Sequence, residues 1–379
     1  MISKEWTWPF RCSSCGRDYP RQGLPYRCPT CGGHFDLADG LRYAPGAGRR
    51  LERYLESFPL PPDARLYTLG EGGTPLVAEE LEQGRVYFKC EHLNPTGSFK
   101  DRGTMVLVSA LKAVGVEQAV EDSSGNAGAS FAAYAARAGI RARVFVPDYA
   151  SGPKRAQIEA YGAELVRVSG PRSETTQAVL RAAENGSVYA SHAYLPHVVP
   201  GMATIAFEIA EALGRAPGAM IFPVGQGTLL LGAYLGFKTL LEAGVTEGMP
   251  SLIGVQAQAC APLWAVHVGG SARLDWVREQ ETLAEGIQIV HPLRGDAVLR
   301  AVEETGGAFV AVEEAEIERG LSELAQRGFL VEPTSAVIWP ALEKLRSDLP
   351  EPVVAVLTGS GFKVGPASWP TGAGRGTRE

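Results

Sequence analysis

The stretch Asn94-Pro-Thr-Gly-Ser-Phe-Lys-Asp-Arg-Gly103 decides how the chain is interpreted, because it puts one lysine between a turn and the start of a helix. After Lys100, apolar residues recur at roughly helical spacing, which predicts a helix that ends at Gly115. The positive end of the helix dipole disfavours an ammonium group there, so the neutral amine that a Schiff base requires is easier to reach. Taken alone, Lys100 is better explained as a solvated surface lysine, and two further loops reverse that preference.

Both loops are rich in glycine and open a predicted helix. Ser123-Ser-Gly-Asn-Ala-Gly-Ala-Ser130 offers backbone N–H groups and hydroxyls that suit a carboxylate, although an ordinary N-cap uses the same residue types. Val224-Gly-Gln-Gly-Thr-Leu-Leu230 lies between an apolar strand and an apolar helix. A strand, a glycine turn and a helix form the geometry that holds a phosphate, and close strand–helix packing also selects glycine.

Beyond the N-terminal region, strand-like runs alternate with helical ones. This alternation indicates an α/β fold with mostly parallel sheets covered by helices. The predicted strands are Arg141–Val146, Glu164–Val168, Ala219–Pro223, Ser251–Gln256 and Val353–Leu357, and two predicted helices are Thr204–Leu213 and Ile317–Arg327.

Composition limits the class of protein. With 379 residues, 45% hydrophobic and 21% charged, the chain is long enough for two or more domains with an ordinary core. It contains no apolar run of membrane length, and its first residues, Met-Ile-Ser-Lys-Glu-Trp, do not resemble a signal peptide, so we expect a cytoplasmic protein without a membrane partner. A net charge of −6 argues against a general nucleic-acid surface.

Four of the six cysteines form two Cys-x-x-Cys pairs, Cys12 with Cys15 and Cys28 with Cys31. Two such turns point four thiolates at one tetrahedral ion and predict a structural zinc ribbon, closed to catalysis because cysteine fills all four positions. Disulfides are the alternative, and the absence of an export signal favours metal. A ribbon of this kind can also bind nucleic acid or a protein partner.

Five blocks resemble, in wording and in order, the fold-type-II family of pyridoxal phosphate enzymes, and within it the threonine synthases most closely. The resemblance covers about residues 66 to 363. The blocks are Gly70-Glu-Gly-Gly-Thr-Pro-Leu76, Asn94 to Gly103, Ser123 to Asn126, Glu332-Pro-Thr-Ser-Ala336 and Leu357-Thr-Gly-Ser-Gly-Phe-Lys363.

The resemblance implies two three-layer αβα domains with the cofactor, pyridoxal 5′-phosphate, in the cleft between them, and a small N-terminal zinc ribbon. It implies a small amino-acid substrate and a homodimer. The expected divisions are a ribbon segment at 1–45, a large cofactor-binding domain at 46–103 and 207–365, a smaller inserted domain at 104–206, and a loose tail at 366–379.

Residue roles also follow from the resemblance. Lys100 would form the Schiff base with the cofactor and remove the substrate α-proton. Asn126 would donate to the 3′-oxygen of the cofactor, Thr358 would face its pyridine nitrogen, and Ser123 and Ser124 would hold the substrate carboxylate. The cofactor phosphate would be held by Gly225, Gln226, Gly227 and Thr228. Glu285 and Glu332 are candidates for a substrate or cation contact, and serve equally well as capping or solvated carboxylates.

The substrate is where the sequence departs from threonine synthases. Those enzymes have a polar stretch before the threonine that matches Thr204, and some of it contacts the phosphate of O-phosphohomoserine. Here the stretch is Leu195-Pro-His-Val-Val-Pro-Gly-Met-Ala-Thr204, whose Val198 and Ala203 offer neither charge nor side-chain donors. A buried dianion needs such groups.

Three functions therefore compete. The first is a threonine synthase that recruits other basic residues, such as Lys154, Arg155 or Arg102, and converts O-phosphohomoserine and water to threonine and phosphate. The second is a threonine or serine dehydratase-like deaminase or a β-replacement synthase. The third, of another class, is a non-catalytic zinc-ribbon protein that uses the cofactor fold as a scaffold for a partner. Block similarity favours the first.

Overall fold

Two sheets and a small N-terminal hairpin make up the β-structure of the computed structural model, which describes residues 6–82, 84–148, 152–170, 172–277 and 280–365. The predicted tail at 366–379 lies outside the described residues. The strands are β1 (Phe10–Cys12), β2 (Phe35–Leu37), β3 (Leu76–Leu81), β4 (Gly84–Lys89), β5 (Gln118–Glu121), β6 (Arg141–Pro147), β7 (Glu164–Val168), β8 (Val188–Tyr189), β9 (Ala219–Pro223), β10 (Ser251–Ala257), β11 (Ala308–Val312) and β12 (Val353–Val356).

The larger sheet has the strand order β11-β10-β9-β12-β4-β3, and only its edge strand β3 runs antiparallel to its neighbour. The smaller sheet, β7-β6-β5-β8, is wholly parallel. Its strands occupy 118–189, inside the insertion expected at 104–206. Strands β9 and β12 are buried along their whole length and apolar throughout, as parallel strands covered on both faces must be.

Helices connect the strands of both sheets. They are α1 (Lys100–Ala113), α2 (Asn126–Ala138), α3 (Pro153–Ala160), α4 (Arg172–Glu184), α5 (Val198–Leu213), α6 (Thr228–Glu242), α7 (Pro262–Gly269), α8 (Gly295–Glu304), α9 (Glu314–Gln326), α10 (Pro333–Ala336) and α11 (Ile338–Leu345). Within the described ranges, no helix combines the length and the apolar character needed to cross a membrane.

The predicted elements exist, and their ends differ where a local cause can be named. Helix α5 begins at Val198 rather than Thr204, because its first turn is apolar and buried, and a proline is tolerated there. Helix α9 begins at Glu314 rather than Ile317, because Glu313 and Glu316 form a capping box. The α/β class with two sheets is confirmed.

The sheet topology brings the conspicuous loops to corresponding strand ends. The loop from Ser123 follows β5, the loop from Val224 follows β9, and Thr358 lies two residues beyond β12. In open parallel sheets, ligands bind outside the carboxyl ends of the strands. The fold therefore directs three separate sequence motifs toward the ends of the sheets where a ligand site is expected.

Candidate active site

Lys100 is the first residue of α1 and lies half-buried beside its neighbour's aromatic ring. Its Nζ is 4.4 Å from the centroid of the Phe99 ring. The Phe99 backbone N–H donates to the Thr358 carbonyl at 3.0 Å, which places the start of α1 beside the end of β12. Burial lowers the pKa of Lys100 to about 8, although the Glu121 and Glu332 carboxylates oppose this shift. A neutral amine is therefore accessible near neutral pH.

Arg102, two residues further on, is in the opposite situation. Its guanidinium is fully buried and donates to Glu91 at 2.7 Å and to Glu208 at 2.7 and 2.8 Å. Lys89 binds the second oxygen of Glu208 at 2.7 Å. The hypothesis that Arg102 binds a substrate phosphate is therefore wrong, because its charge is already neutralised by two buried carboxylates.

The Ser123 loop forms the expected turn into α2. The Gly125 N–H donates to the Ser123 hydroxyl at 3.2 Å. A Cβ on Gly128 would lie 1.8 Å from the Ser123 carbonyl oxygen, so only glycine allows the loop to pass this close to the helix. The side chains of Ser123 and Ser124 remain partly exposed at the loop. This arrangement leaves hydroxyls and helix-start N–H groups available to an anion.

Asn126 connects this loop to the opposite wall of the site. Its Nδ2 donates to Glu332 Oε1 at 2.7 Å, while its buried Oδ1 has no hydrogen-bond partner among the described residues. Glu332 Oε2 pairs with Lys154 at 3.0 Å. Burial alone would lower the pKa of Lys154, but Glu332 outweighs it and raises that pKa, so this ammonium stays charged. Glu332 is thus part of the site wall, whereas Glu285 is exposed to solvent.

The Val224 loop has the form of a phosphate cradle. Gly227 has a φ of +75° and precedes the first residue of α6, Thr228. A Cβ on Gly227 would lie 2.5 Å from Val298, so the loop is packed closely against the neighbouring wall. The Gln226 side-chain oxygen accepts a hydrogen bond from the Leu293 N–H at 2.9 Å, which ties the loop to the segment before α8. The N-terminus of α6 supplies the N–H groups that bind a phosphate.

Thr358 is buried and contacts a residue that the sequence alone did not single out. Its hydroxyl lies 3.0 Å from the Ser335 hydroxyl, which also accepts the Gly359 N–H at 2.8 Å. A hydroxyl can donate a hydrogen bond to a ring nitrogen, but it is too weak an acid to keep that nitrogen protonated. Ser335 belongs to the block Glu332 to Ala336 that resembles the family, but the sequence could not show that it contacts Thr358.

Two further buried groups were also missed. Lys363 donates to the Thr96 carbonyl at 2.7 Å, and burial lowers its pKa to about 8. Glu121, at the end of β5, is fully buried and contacts His192 Nδ1 at 2.6 Å. Neither residue was assigned a role from a local motif, so only the folded chain reveals them.

The four cysteines of the N-terminal region come together as predicted. Their sulfur atoms all lie within 4.8 Å of one another, with 3.5 Å between Cys12 and Cys31 and 3.7 Å between Cys15 and Cys28. Disulfide sulfurs would be about 2.05 Å apart, whereas sulfurs bound at about 2.3 Å to one tetrahedral ion are separated by distances of the observed size. Cys90 and Cys260 are buried, as expected.

The N-terminal hairpin β1–β2 docks on the start of α5. His197, just before α5, is buried with both ring nitrogens unbonded among the described residues, and it packs edge-on against Trp8 and Phe10 at 4.6 and 4.7 Å between centroids. Arg294 is buried and joins Asp36 at 2.6 Å to the backbone of the 193–194 segment. His197 therefore packs against the hairpin, whereas Val198 and Met202 lie against Gly103 of α1.

Comparison with known proteins agrees with this geometry. Residues 67–359 match the family described as pyridoxal-phosphate dependent enzyme. The threonine synthase of Synechocystis sp. is 35% identical over 323 residues, which cover 83% of this chain and 82% of the relative. That of Methanocaldococcus jannaschii is 35% identical over 324 residues, 82% of this chain and 80% of the relative.

Solved structures show the same fold. A threonine deaminase from T.th. superposes with a TM-score of 0.65 at 26% identity, over 77% of this chain and 94% of that one. Maize serine racemase has a TM-score of 0.66 at 19% identity, over 78% and 89% of the two chains, and supports the fold alone. Because the family match spans residues 67–359 and the threonine synthases are 35% identical over most of the chain, this chain belongs to the fold-type-II pyridoxal-phosphate dependent enzymes and, within them, to the threonine synthase family of lyases.

Proposed function

We propose that the protein converts O-phosphohomoserine and water to threonine and phosphate, as a pyridoxal phosphate-dependent lyase of threonine synthase type. The observation that carries this proposal is Lys100, whose depressed pKa and position beside Thr358 suit a lysine that holds the cofactor. The similarity to threonine synthases over most of the chain supports the substrate. Family membership leaves the non-catalytic scaffold hypothesis without support.

The residues of the site fit the cofactor. The amides of Gly225, Gln226, Gly227 and Thr228 would hold its phosphate, and the unpartnered Oδ1 of Asn126 leaves that side chain able to make one more polar contact. Thr358 would face the ring nitrogen. When bound, pyridoxal phosphate supplies an electron sink that makes the substrate α-proton acidic.

The chain's own residues perform the remaining work. Ser123 and Ser124 would bind the substrate carboxylate through hydroxyls and neighbouring N–H groups. Lys100 would take the α-proton and later return it, since its amine, once released from the cofactor, would lie beside the α-carbon and its lowered pKa suits a base near neutral pH. The buried pair of Arg102 with Glu91 fixes the first turn of α1 under Lys100.

A second candidate is favoured by the surroundings of the substrate side chain. Five of the eleven residues that line the cavity beside Lys154 are glutamates, and the stretch that is polar in threonine synthases is buried and apolar here. Both features disfavour a phosphate dianion. Elimination from threonine or serine, followed by deamination, needs no phosphate site. The glutamates that line the cavity are Glu281, Glu285, Glu314, Glu318 and Glu332.

One assay separates the two candidates. The holoenzyme is incubated separately with O-phosphohomoserine and with L-threonine, and inorganic phosphate, threonine and 2-oxobutyrate are measured. Phosphate release with threonine formation supports threonine synthase activity. Formation of 2-oxobutyrate from threonine, with no phosphate release in the first incubation, would favour the deaminase instead.

We further propose that Cys12, Cys15, Cys28 and Cys31 hold a structural zinc ion. The four sulfurs already have the spacing that one ion requires, and no position is left for a water or substrate. Metal analysis of the purified protein tests this: about one zinc per chain is expected, and its absence from protein that keeps its native far-UV spectrum would contradict it. A homodimer, a small amino-acid substrate and a cytoplasmic location remain proposals drawn from the family.

A further inference from the structure

Glu121 ends β5 and stands directly before the Ser123 loop, where the substrate carboxylate is proposed to bind. Its side chain is fully buried. One carboxyl oxygen, Oε1, contacts His192 Nδ1 at 2.6 Å, whereas the other, Oε2, has no hydrogen-bond partner in the described part of the chain. An unpaired buried carboxyl oxygen is costly, so it calls for a partner that the described residues do not provide.

The Glu121 carboxylate interacts electrostatically with Lys100. After burial itself, the Glu121 carboxylate has the largest influence on the pKa of Lys100, and it opposes the lowering of that pKa. The neighbouring carboxylate, Asp122, is engaged elsewhere: it accepts hydrogen bonds from Tyr189 at 2.7 Å and from Arg172 at 3.0 Å. Of these two adjacent acids, only Glu121 has an oxygen free to act in the site.

We propose that Glu121, held in place by His192, carries the proton of the oxygen that leaves or enters at the substrate β-carbon. This inference rests on the proposed pyridoxal phosphate-dependent lyase activity. Glu121 would complete the chemistry that Lys100 begins. Glu121 would be a catalytic residue, because Oε2 touches the reacting oxygen, and His192 would be a positioning residue.

The proton and electron balance can be written for both candidate reactions. In elimination, Lys100 takes the α-proton, the β-carbon–oxygen bond breaks with its electron pair on oxygen, and protonated Glu121 gives that oxygen a proton so that water leaves. In hydration, water forms the bond to the β-carbon, its surplus proton passes to ionised Glu121, and Lys100 returns a proton to the α-carbon. The two directions use the same pair of groups.

The surroundings of Glu121 suit this role. Burial raises the pKa of the Glu121 carboxyl, while His192 and, more weakly, Arg172 act against the shift, and Asp122 adds to it. A proton is therefore retained at higher pH than by an ordinary glutamate, which is the direction that a general acid requires. His192 is partly exposed, so it can pass the proton on to solvent.

The test compares the rates of two eliminations: loss of water, which needs a proton on the leaving oxygen, and loss of chloride, which needs none. Glu121→Gln keeps the shape and removes the acid. We expect its elimination of water from L-serine or L-threonine to fall by about 10²- to 10⁴-fold, while its elimination of chloride from β-chloroalanine stays near the wild-type rate. With O-phosphohomoserine, threonine formed per phosphate released should fall, because water addition fails after phosphate has left.

Glu343→Gln, at an exposed glutamate paired with Arg319, is the matched control, and its ratio of water to chloride elimination should equal that of the wild type. His192→Asn should move the pH profile of water elimination while it leaves the chloride reaction unchanged. If Glu121→Gln does not hold the cofactor, Glu121→Asp is measured by the same ratio, because the shorter acid still carries a proton but misplaces it.

An unchanged ratio in both Glu121 variants would overturn the inference, and so would an equal loss of both eliminations. Neither result depends on O-phosphohomoserine. A wild-type enzyme that eliminates chloride but forms no threonine would contradict threonine synthase activity alone, so the two proposals fail separately.

Discussion

Helices α1 and α5 pack against each other, yet they begin in opposite surroundings. Helix α1 starts with Lys100 and Arg102 among buried carboxylates, whereas α5 starts with apolar residues and the neutral His197 under the aromatic rings of the N-terminal hairpin. The contact is close: a Cβ on Gly201 would lie 2.0 Å from the Arg102 carbonyl oxygen. The start of α1 carries the proposed chemistry, whereas the start of α5 packs α1 against the N-terminal hairpin.

The difference changes how the apolar stretch before Thr204 is understood. From the sequence alone, the missing basic residues indicated a different substrate. The structure provides a second cause, because Val198, Val199 and Met202 are buried and His197 contacts Trp8 and Phe10. Packing of His197 on the hairpin, and of Val198 and Met202 against Gly103 of α1, can select these residues without reference to the substrate.

The largest expected effect tests the chemical role of α1. Lys100→Ala should abolish the visible absorption band of the bound cofactor and reduce turnover by at least about 10²- to 10⁴-fold, the usual loss when a positioned base is removed. Lys344→Ala, at an exposed lysine paired with Glu316, is the control and should keep both. Turnover by Lys100→Ala within a few-fold of wild type would contradict the assignment.

The next effect concerns the buried charges under α1. Arg102→Ala leaves the Glu91 and Glu208 carboxylates buried with one cation fewer, so the free energy of unfolding should fall by about 3–5 kcal/mol. Arg319→Ala breaks an exposed pair with Glu343 and should cost about 1 kcal/mol or less. Urea denaturation measures both, and equal losses would refute the contrast between buried and exposed pairs.

A smaller effect is expected at the contact between the two helices. Gly201→Ala places a methyl group against the Arg102 carbonyl, so the helices must separate, at a cost of about 1–3 kcal/mol. Gly248→Ala is the control, since nothing lies within 4 Å of the added carbon there. Thermal unfolding compares them, and a Gly201 variant as stable as the control would show that α5 shifts freely on α1.

The effect that is smallest at neutral pH separates the start of α5 from that of α1 when the pH is lowered. Burial lowers the pKa of His197 to about 3, against about 6.5 in the unfolded chain. Between these values only the unfolded chain binds the proton, so the free energy of unfolding falls as pH drops below about 6.5, by up to about 1.4 kcal/mol per pH unit. His197→Leu should remove this part of the slope, and parallel wild-type and variant curves would contradict the burial of a neutral His197.

Local motifs were predictable from the sequence, and contacts between distant segments were not. Lys100, the Val224 loop and the four cysteines are each defined by a few adjacent residues, because turns and helix starts are local structures. The contact of His192 with Glu121 joins residues 71 positions apart, and that of Arg294 with Asp36 joins residues 258 apart. No periodicity or turn pattern encodes such pairs, so Glu121 and Ser335 were recognised only in the folded chain.

Arg102 shows the same limit from the other side. Its position near Lys100 made it a reasonable phosphate ligand. Only the folded chain shows that ion pairs with Glu91 and Glu208 neutralise its charge. A basic residue near a predicted site becomes informative once its carboxylate partners are known.

Peptide mapping of the reduced holoenzyme tests the central claim most directly. Borohydride reduction fixes the cofactor to its lysine as a stable secondary amine, and mass spectrometry then locates the added mass. Three lysines, Lys100, Lys154 and Lys363, have ammonium groups at or near the site, and two of them have a pKa lowered to about 8. We predict that the cofactor is found on Lys100 alone; its recovery on Lys363 or Lys154 would contradict the account.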